Sequence, residues 1–253
     1  MWYIVALVIL IAIYVLALVF LPRCKHPSVV NAILIGVCLS CYLALVLIVY
    51  RDVGYADWNF QNVLPTANVS PFMFSSLVIY IFLPKEIKKY WSVLISLLSA
   101  GMLGAATIEC VTRAVIRYDF HFHFLLDYVA HLSLSLLGVY LVKSGQVEFR
   151  KRGCLISGGA LLSVALIMLI VNAILDTAYF GLALDEKYNI YNNVLAPNAY
   201  LSAVLYFVGV VTVMTIGYFY VKLLTSLKIP SPKSARQENV VEAQNTSLDQ
   251  HDI

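Results

Sequence analysis

The stretch HFHFLLDYVAH, residues 121–131, places His123, Asp127 and His131 at positions i, i+4 and i+8. On a helix the three form one stripe that drifts about 40° per step. Imidazole and carboxylate groups on one face offer proton transfer, metal ligation, or hydrogen-bonded packing between helices. The helical rise of roughly 1.5 Å per residue separates His123 from His131 by about 12 Å, too far to share one ion on an unbroken helix. Asp127 with either histidine would need one or two further ligands from other helices, so no metal is expected. His131 is the candidate general base, with Asp127 as its orienting group. His121 and His123 would line the mouth of the site.

Further polar residues recur near the same depth. VNAILD sets Asn172 and Asp176 four residues apart. TIEC brings Thr107, Glu109 and Cys110, followed by Arg113 and Arg117, and SPFMFSS supplies Ser75 and Ser76. A nucleophile needs a base within hydrogen-bond reach. Ser75, Ser76, Thr107 and Cys110 are the available groups, and the sequence leaves the choice open. Asp127 and Glu109 have an alternative role, as ion-pair partners of Arg113 or Arg117.

The elements that must position these groups are membrane helices. The chain has 253 residues, 61% hydrophobic and 12% charged, with a mean hydropathy of +0.85. Soluble domains carry about 25% charged residues. A net charge of +3 without a basic, aromatic-interleaved stripe argues against nucleic-acid binding. Apolar runs that satisfy the roughly 20 residues of a span lie near 2–21, 28–49, 70–84, 91–109, 121–142, 154–175 and 199–224. The expected fold class is an all-α bundle of seven transmembrane helices. Spans three to six carry the polar groups and imply a cavity opening outward. Spans one and two bring almost none and are expected to frame the bundle.

Thirteen of the 17 Lys and Arg residues fall in the first, third and fifth loops and around the C-terminal tail; only Arg51, Arg113, Arg117 and Lys187 fall opposite. The positive-inside rule then predicts an outside N-terminus and a cytoplasmic C-terminus. The first span lacks a basic leader and a small-residue cleavage site, so it is expected to be retained. Residues 1–225 form the membrane domain, and 226–253, polar and proline-punctuated, is expected to be a disordered tail. Asn68 and Asn245 lie in N-x-S/T sequons.

Two outer loops are long, 51–71 and 176–200, and the second is dense in Tyr and Asn, including Asn192. That density predicts a hydrogen-bonded cap over the outer ends and a surface for a membrane-protein partner. Five cysteines give no disulfide framework. Cys38 and Cys41 read as small packing residues, and Cys24 as a juxtamembrane palmitoylation candidate. No phosphate-binding glycine loop or dinucleotide fingerprint is present, so no soluble cofactor is expected.

The order of these motifs resembles the transmembrane protein 164 acyltransferase family, whose bacterial members are YwaF-like integral membrane proteins. SPFMFSS (70–76) precedes LLSAGMLGAATIE (97–109), then HFHFLLDYVAHLSLSLLGVYLV (121–142), IVNAILDTAYF (170–180) and YNIYNN (188–193). The resemblance spans about residues 70–220. It implies seven helices, acyl transfer on a glycerophospholipid, and a nucleophile at Ser75. The family cysteine falls on Ser75 and the histidine before it on Met73, so its Cys–His chemistry does not carry over unchanged.

The first functional expectation is thus a lipid-active acyltransferase or hydrolase of the cell membrane. His131 would be its base, Ser75 its nucleophile and Asp127 an orienting group. His121, His123, Glu109, Asn172, Asp176 and Asn192 would face the substrate. The alternatives are a non-enzymatic binding, accessory or transport protein, and a metal-dependent seven-helix hydrolase of the ceramidase type. The last would want a His-x-x-x-His in the final span, and this chain has none there.

Overall fold

The computed structural model describes residues 2–24, 26–53, 69–112, 114, 122–175 and 199–227. His121, Arg113, Arg117, Asp176, Asn192, the sequon residues Asn68 and Asn245, most of the two outer loops and the tail beyond residue 227 lie outside the described residues.

Among the described residues the regular structure is all helical. The helices are α1 (Trp2–Phe20), α2 (Pro27–Val53), α3 (Val69–Phe82), α4 (Lys85–Val111), α5 (Phe122–Lys143), α6 (Lys151–Leu175) and α7 (Ala199–Ser226). Six of them are long and apolar enough to cross a membrane. The third, α3, has 14 residues. At about 1.5 Å per residue it falls short of the roughly 30 Å hydrocarbon core.

Local chemistry sets the breaks. A 3-10 turn over Leu21–Arg23, containing Pro22, separates α1 from α2, and Pro27 opens α2. Proline is favoured at a first helical position because its missing N–H would be unpaired there. The residue before proline is disfavoured in helix, and α3 accordingly stops at Phe82, ahead of Pro84. At the end of α5, Gly145 adopts φ +74°. The Gly145 N–H donates to the Val142 carbonyl at 3.0 Å and the Gln146 N–H to the Leu141 carbonyl at 3.1 Å. That is a Schellman termination, in which left-handed glycine satisfies the last carbonyls.

The pair α4 and α5 forms the middle of the bundle. On α5, Tyr128 and every residue from Ala130 to Leu141 are buried. Leu94, Ile95 and Leu98 of α4 meet Leu134 and Leu137 of α5 in one apolar cluster. Helices α1 and α2 pack on α5, while α6 and α7 pack on α4. The outer faces of α1, α2, α6 and α7 expose Val8, Leu43, Ile170, Phe219 and similar side chains. Apolar residues outside and serines inside suit a helix bundle in lipid, where small residues let backbones approach.

Helices α1 and α2, whose outer faces are largely exposed, also carry polar links into the bundle. The Tyr14 hydroxyl on α1 lies 2.9 Å from Ser135 Oγ and 2.6 Å from the Tyr220 hydroxyl. From α2, the Tyr42 hydroxyl bonds Ser75, and Asn31 Nδ2 donates to Gln146 Oε1 at 2.6 Å. A tyrosine in an apolar run reads as one more large hydrophobe until its phenol finds a partner.

Candidate functional site

The stripe stays on one unbroken helix, so α5 carries His123 in its first turn and His131 near its middle. His131 is 6% exposed. Its Nδ1 lies 2.8 Å from the backbone carbonyl oxygen of Asp127 and 3.3 Å from the Asp127 carboxylate. A carbonyl oxygen can only accept, so in the neutral ring Nδ1 carries the proton and Nε2 the lone pair. The ring is thus oriented by its own helix. Two acceptors hold one edge, and the other nitrogen has the tautomer that a general base requires.

A wall from two other helices stands over this pair. The Phe74 ring of α3 meets the His131 ring edge-on, with centroids 4.9 Å apart. On its other flank Phe74 meets Tyr42 of α2 at 5.0 Å. The Tyr42 hydroxyl takes up Ser75, the residue after Phe74, and lies within electrostatic reach of Asp127, as does Cys38. Phe74 and Met73 are fully buried, so Met73 is a packed apolar contact.

The other three candidate nucleophiles are held by neighbours on their own or the adjacent helix. Ser76 Oγ donates to the Met73 carbonyl at 2.7 Å. Thr107 Oγ1 donates to the Leu103 carbonyl at 2.6 Å and lies 3.2 Å from the Tyr128 hydroxyl. Cys110 Sγ approaches the Phe124 carbonyl at 3.7 Å. The last turns of α4 therefore run beside the first turns of α5. This brings exposed Glu109 within electrostatic reach of His131. Asn172 is buried on α6. His123, in the first turn of α5, lies against Phe124 with ring centroids 4.0 Å apart.

The sequence thus placed His131 and Asp127 together correctly. It missed Tyr42, Cys38 and Phe74, which complete the surround from α2 and α3. The available signal was the i, i+4 spacing of Cys38 and Tyr42 on one face of α2. Among the described residues no group of three or more His, Cys, Asp or Glu side chains is placed to hold a metal ion.

Beside the site, a lateral groove of about 410 Å³ lies between α3 and the start of α4. Ser75 and Ser76 line it together with Phe72, Ile79, Leu83 and Trp91. The indole N–H of Trp91 reaches the Ser76 carbonyl at 3.4 Å. Ser75 therefore sits between the Tyr42 hydroxyl on one side and an apolar groove on the other.

Fold and site together define an all-helical bundle of membrane-length helices with a histidine–carboxylate pair in its interior. No family model, no curated protein and no solved structure matches this chain.

Proposed function

We propose that the chain is a multi-pass cell-membrane protein that acts on lipid, as an acyltransferase or hydrolase related to the transmembrane protein 164 family. In this reading it has seven spans, an outside N-terminus and a cytoplasmic C-terminus. His131 is the general base, Asp127 orients and stabilises its ring, and Ser75 is the nucleophile. The observation that carries the proposal is the fixed His131 tautomer, with Nδ1 held at 2.8 Å by the Asp127 carbonyl. It is joined by an apolar groove with Ser75 in its wall, suited to an acyl chain. Attack by the Ser75 oxygen on a lipid ester carbonyl would move its proton to His131 Nε2. It would leave an acyl-serine and a lysolipid alcohol, which takes the proton as it departs. Transfer of the acyl group to water or to a second alcohol would regenerate Ser75. For this step the Ser75 hydroxyl must leave Tyr42 and come within hydrogen-bond reach of His131 Nε2.

The competing reading is a non-enzymatic binding or accessory protein. The Ser75–Tyr42 bond and the Phe74–His131 contact favour it, because both are ways of joining helices. Lipidomics of a deletion strain separates the two. Complementation with wild type should restore the lipid profile, and Ser75→Ala or His131→Ala should leave it altered. Identical lipid profiles in the deletion strain and its parent would sink the enzymatic reading.

A further inference from the structure

A groove of about 660 Å³ lies at the end of the bundle remote from the outer loops, between the start of α2 and the α3–α4 turn. Lys85, Lys88 and Lys89 line it, and no acidic side chain does. Glu86, the acid in the first turn of α4, is absent from its wall. The three lysines lie in the first turns of α4, where a helix already presents its positive end. Pro84 caps α4 without a side-chain hydrogen bond, and cations at a helix N-terminus are unfavourable unless an anion joins them. Lys88 is held in place, with Nζ donating to the Ile81 carbonyl at 3.2 Å and standing 5.0 Å above the Tyr80 ring.

Along α2 the wall grades from polar to apolar. Ser28 and Asn31 stand at the charged mouth, and Ile35, Gly36 and Leu39 follow on the same helix, with Leu141 opposite. From Ser28 to Leu39 the rise is about 16 Å. Charge at the mouth and hydrocarbon below match a phospholipid seated upright, rather than a free anion, which would use only the mouth.

We propose that this groove binds a phospholipid with an anionic headgroup. The phosphate sits among Lys85, Lys88 and Lys89, and an acyl chain lies along Ile35 and Leu39. The site is separate from His131, and it stands whether or not the chain is an enzyme. A juxtamembrane lysine contributes roughly a fivefold gain in affinity for anionic lipid, so the three together should give selectivity of tenfold or more over a zwitterionic lipid.

Native mass spectrometry of the full chain tests this, with phosphatidylglycerol and phosphatidylcholine of identical acyl chains offered in competition. Phosphatidylglycerol should be retained at least tenfold more tightly. Lys85→Gln, Lys88→Gln and Lys89→Gln combined should reduce it to the phosphatidylcholine level. Gly36→Phe is the second variant, because a Cβ at Gly36 meets nothing within 4 Å and the ring fills the groove without distorting α2. It should displace the lipid while the helix content and melting temperature stay at wild-type values. Equal retention of the two lipids, or wild-type retention by both variants, overturns the proposal. Full displacement by millimolar inorganic phosphate also overturns it, by making the site one for a free anion.

Discussion

Ser96 and Gly138 join the two central helices where their backbones come close. Ser96 Oγ donates to the Gly138 carbonyl at 2.7 Å while also reaching the Ser92 carbonyl at 2.9 Å. A methyl group on Gly138 would fall 2.7 Å from the Ile95 carbonyl oxygen and 3.0 Å from the Ser96 Cα. Neither is a flexible side-chain end, so the helices themselves must separate. Gly138→Ala should cost about 1–3 kcal/mol, the range for overpacking a filled interface. Ser96→Ala should cost less, about 0.6 kcal/mol, as is usual for one interhelical hydrogen bond in a membrane protein. Unfolding in mixed micelles measures both. A Gly138→Ala variant as stable as wild type would show that the two backbones are not in contact.

The hydroxyl chain through Tyr14 makes a second prediction. Tyr14 lies 2.6 Å from the Tyr220 hydroxyl and 2.9 Å from Ser135 Oγ, so one phenol joins α1, α5 and α7. Tyr14→Phe removes two bonds and keeps the ring. It should destabilise by about 1–2 kcal/mol, near the upper end for such bonds in lipid. Tyr220→Phe should cost less, and the double variant should fall short of the sum by about 0.5 kcal/mol or more. Strict additivity in the same unfolding assay would mean that the two phenols do not share a bond.

Much of the fold was legible because a bilayer demands long apolar runs, and each expected span has a helix within a few residues of it. The stripe on α5 was legible because helical spacing alone puts Asp127 and His131 on one face. Inter-helix partners were not. Nothing local to Phe74 says that its edge meets an imidazole 57 positions further along the chain, and nothing local to Tyr14 says that it meets Ser135. The α4–α5 contact left a faint signal, since Ser92, Ser96 and Ser99 are small residues at helical spacing. Such spacing often marks close packing in membranes, but it does not name the partner helix.

Asp127 and His131 give a prediction with a graded outcome. The 2.8 Å bond to Nδ1 comes from the Asp127 backbone, so Asp127→Asn keeps the tautomer and removes only the negative charge 3.3 Å from the ring. That charge matters most when the ring gains a proton. If the chain turns over lipid, Asp127→Asn should lower kcat by roughly 10–100-fold with KM unchanged. His131→Ala should remove the base altogether and cost about 10²–10⁴-fold. Release of lysolipid or acylated product by purified protein in nanodiscs reads both. Equal losses of activity and stability in the two variants would assign the pair to packing rather than to proton transfer.

The short helix α3 decides the topology, and two cysteines can read it. Cys24 is exposed just after the turn that follows α1. Ser226 ends α7, whose Tyr218 stacks on Phe149 at 5.6 Å in the turn between α5 and α6. Six helices separate Cys24 from Ser226. If α3 crosses with the rest, both positions face the same side, which the lysine distribution predicts to be cytoplasmic. If α3 does not cross, they face opposite sides. The Tyr80 hydroxyl of α3 lies 3.0 Å from Ser92 Oγ, and both residues line the lysine groove with Asn31, so the end of α3 reaches the basic end of the bundle. The other four cysteines are removed from the reporters, and Ser226→Cys is made in a background that also lacks Cys24. A membrane-impermeant maleimide should then label neither position in intact cells and both in inside-out vesicles. Labelling of one position from each side would remove α3 from the set of spans and leave six.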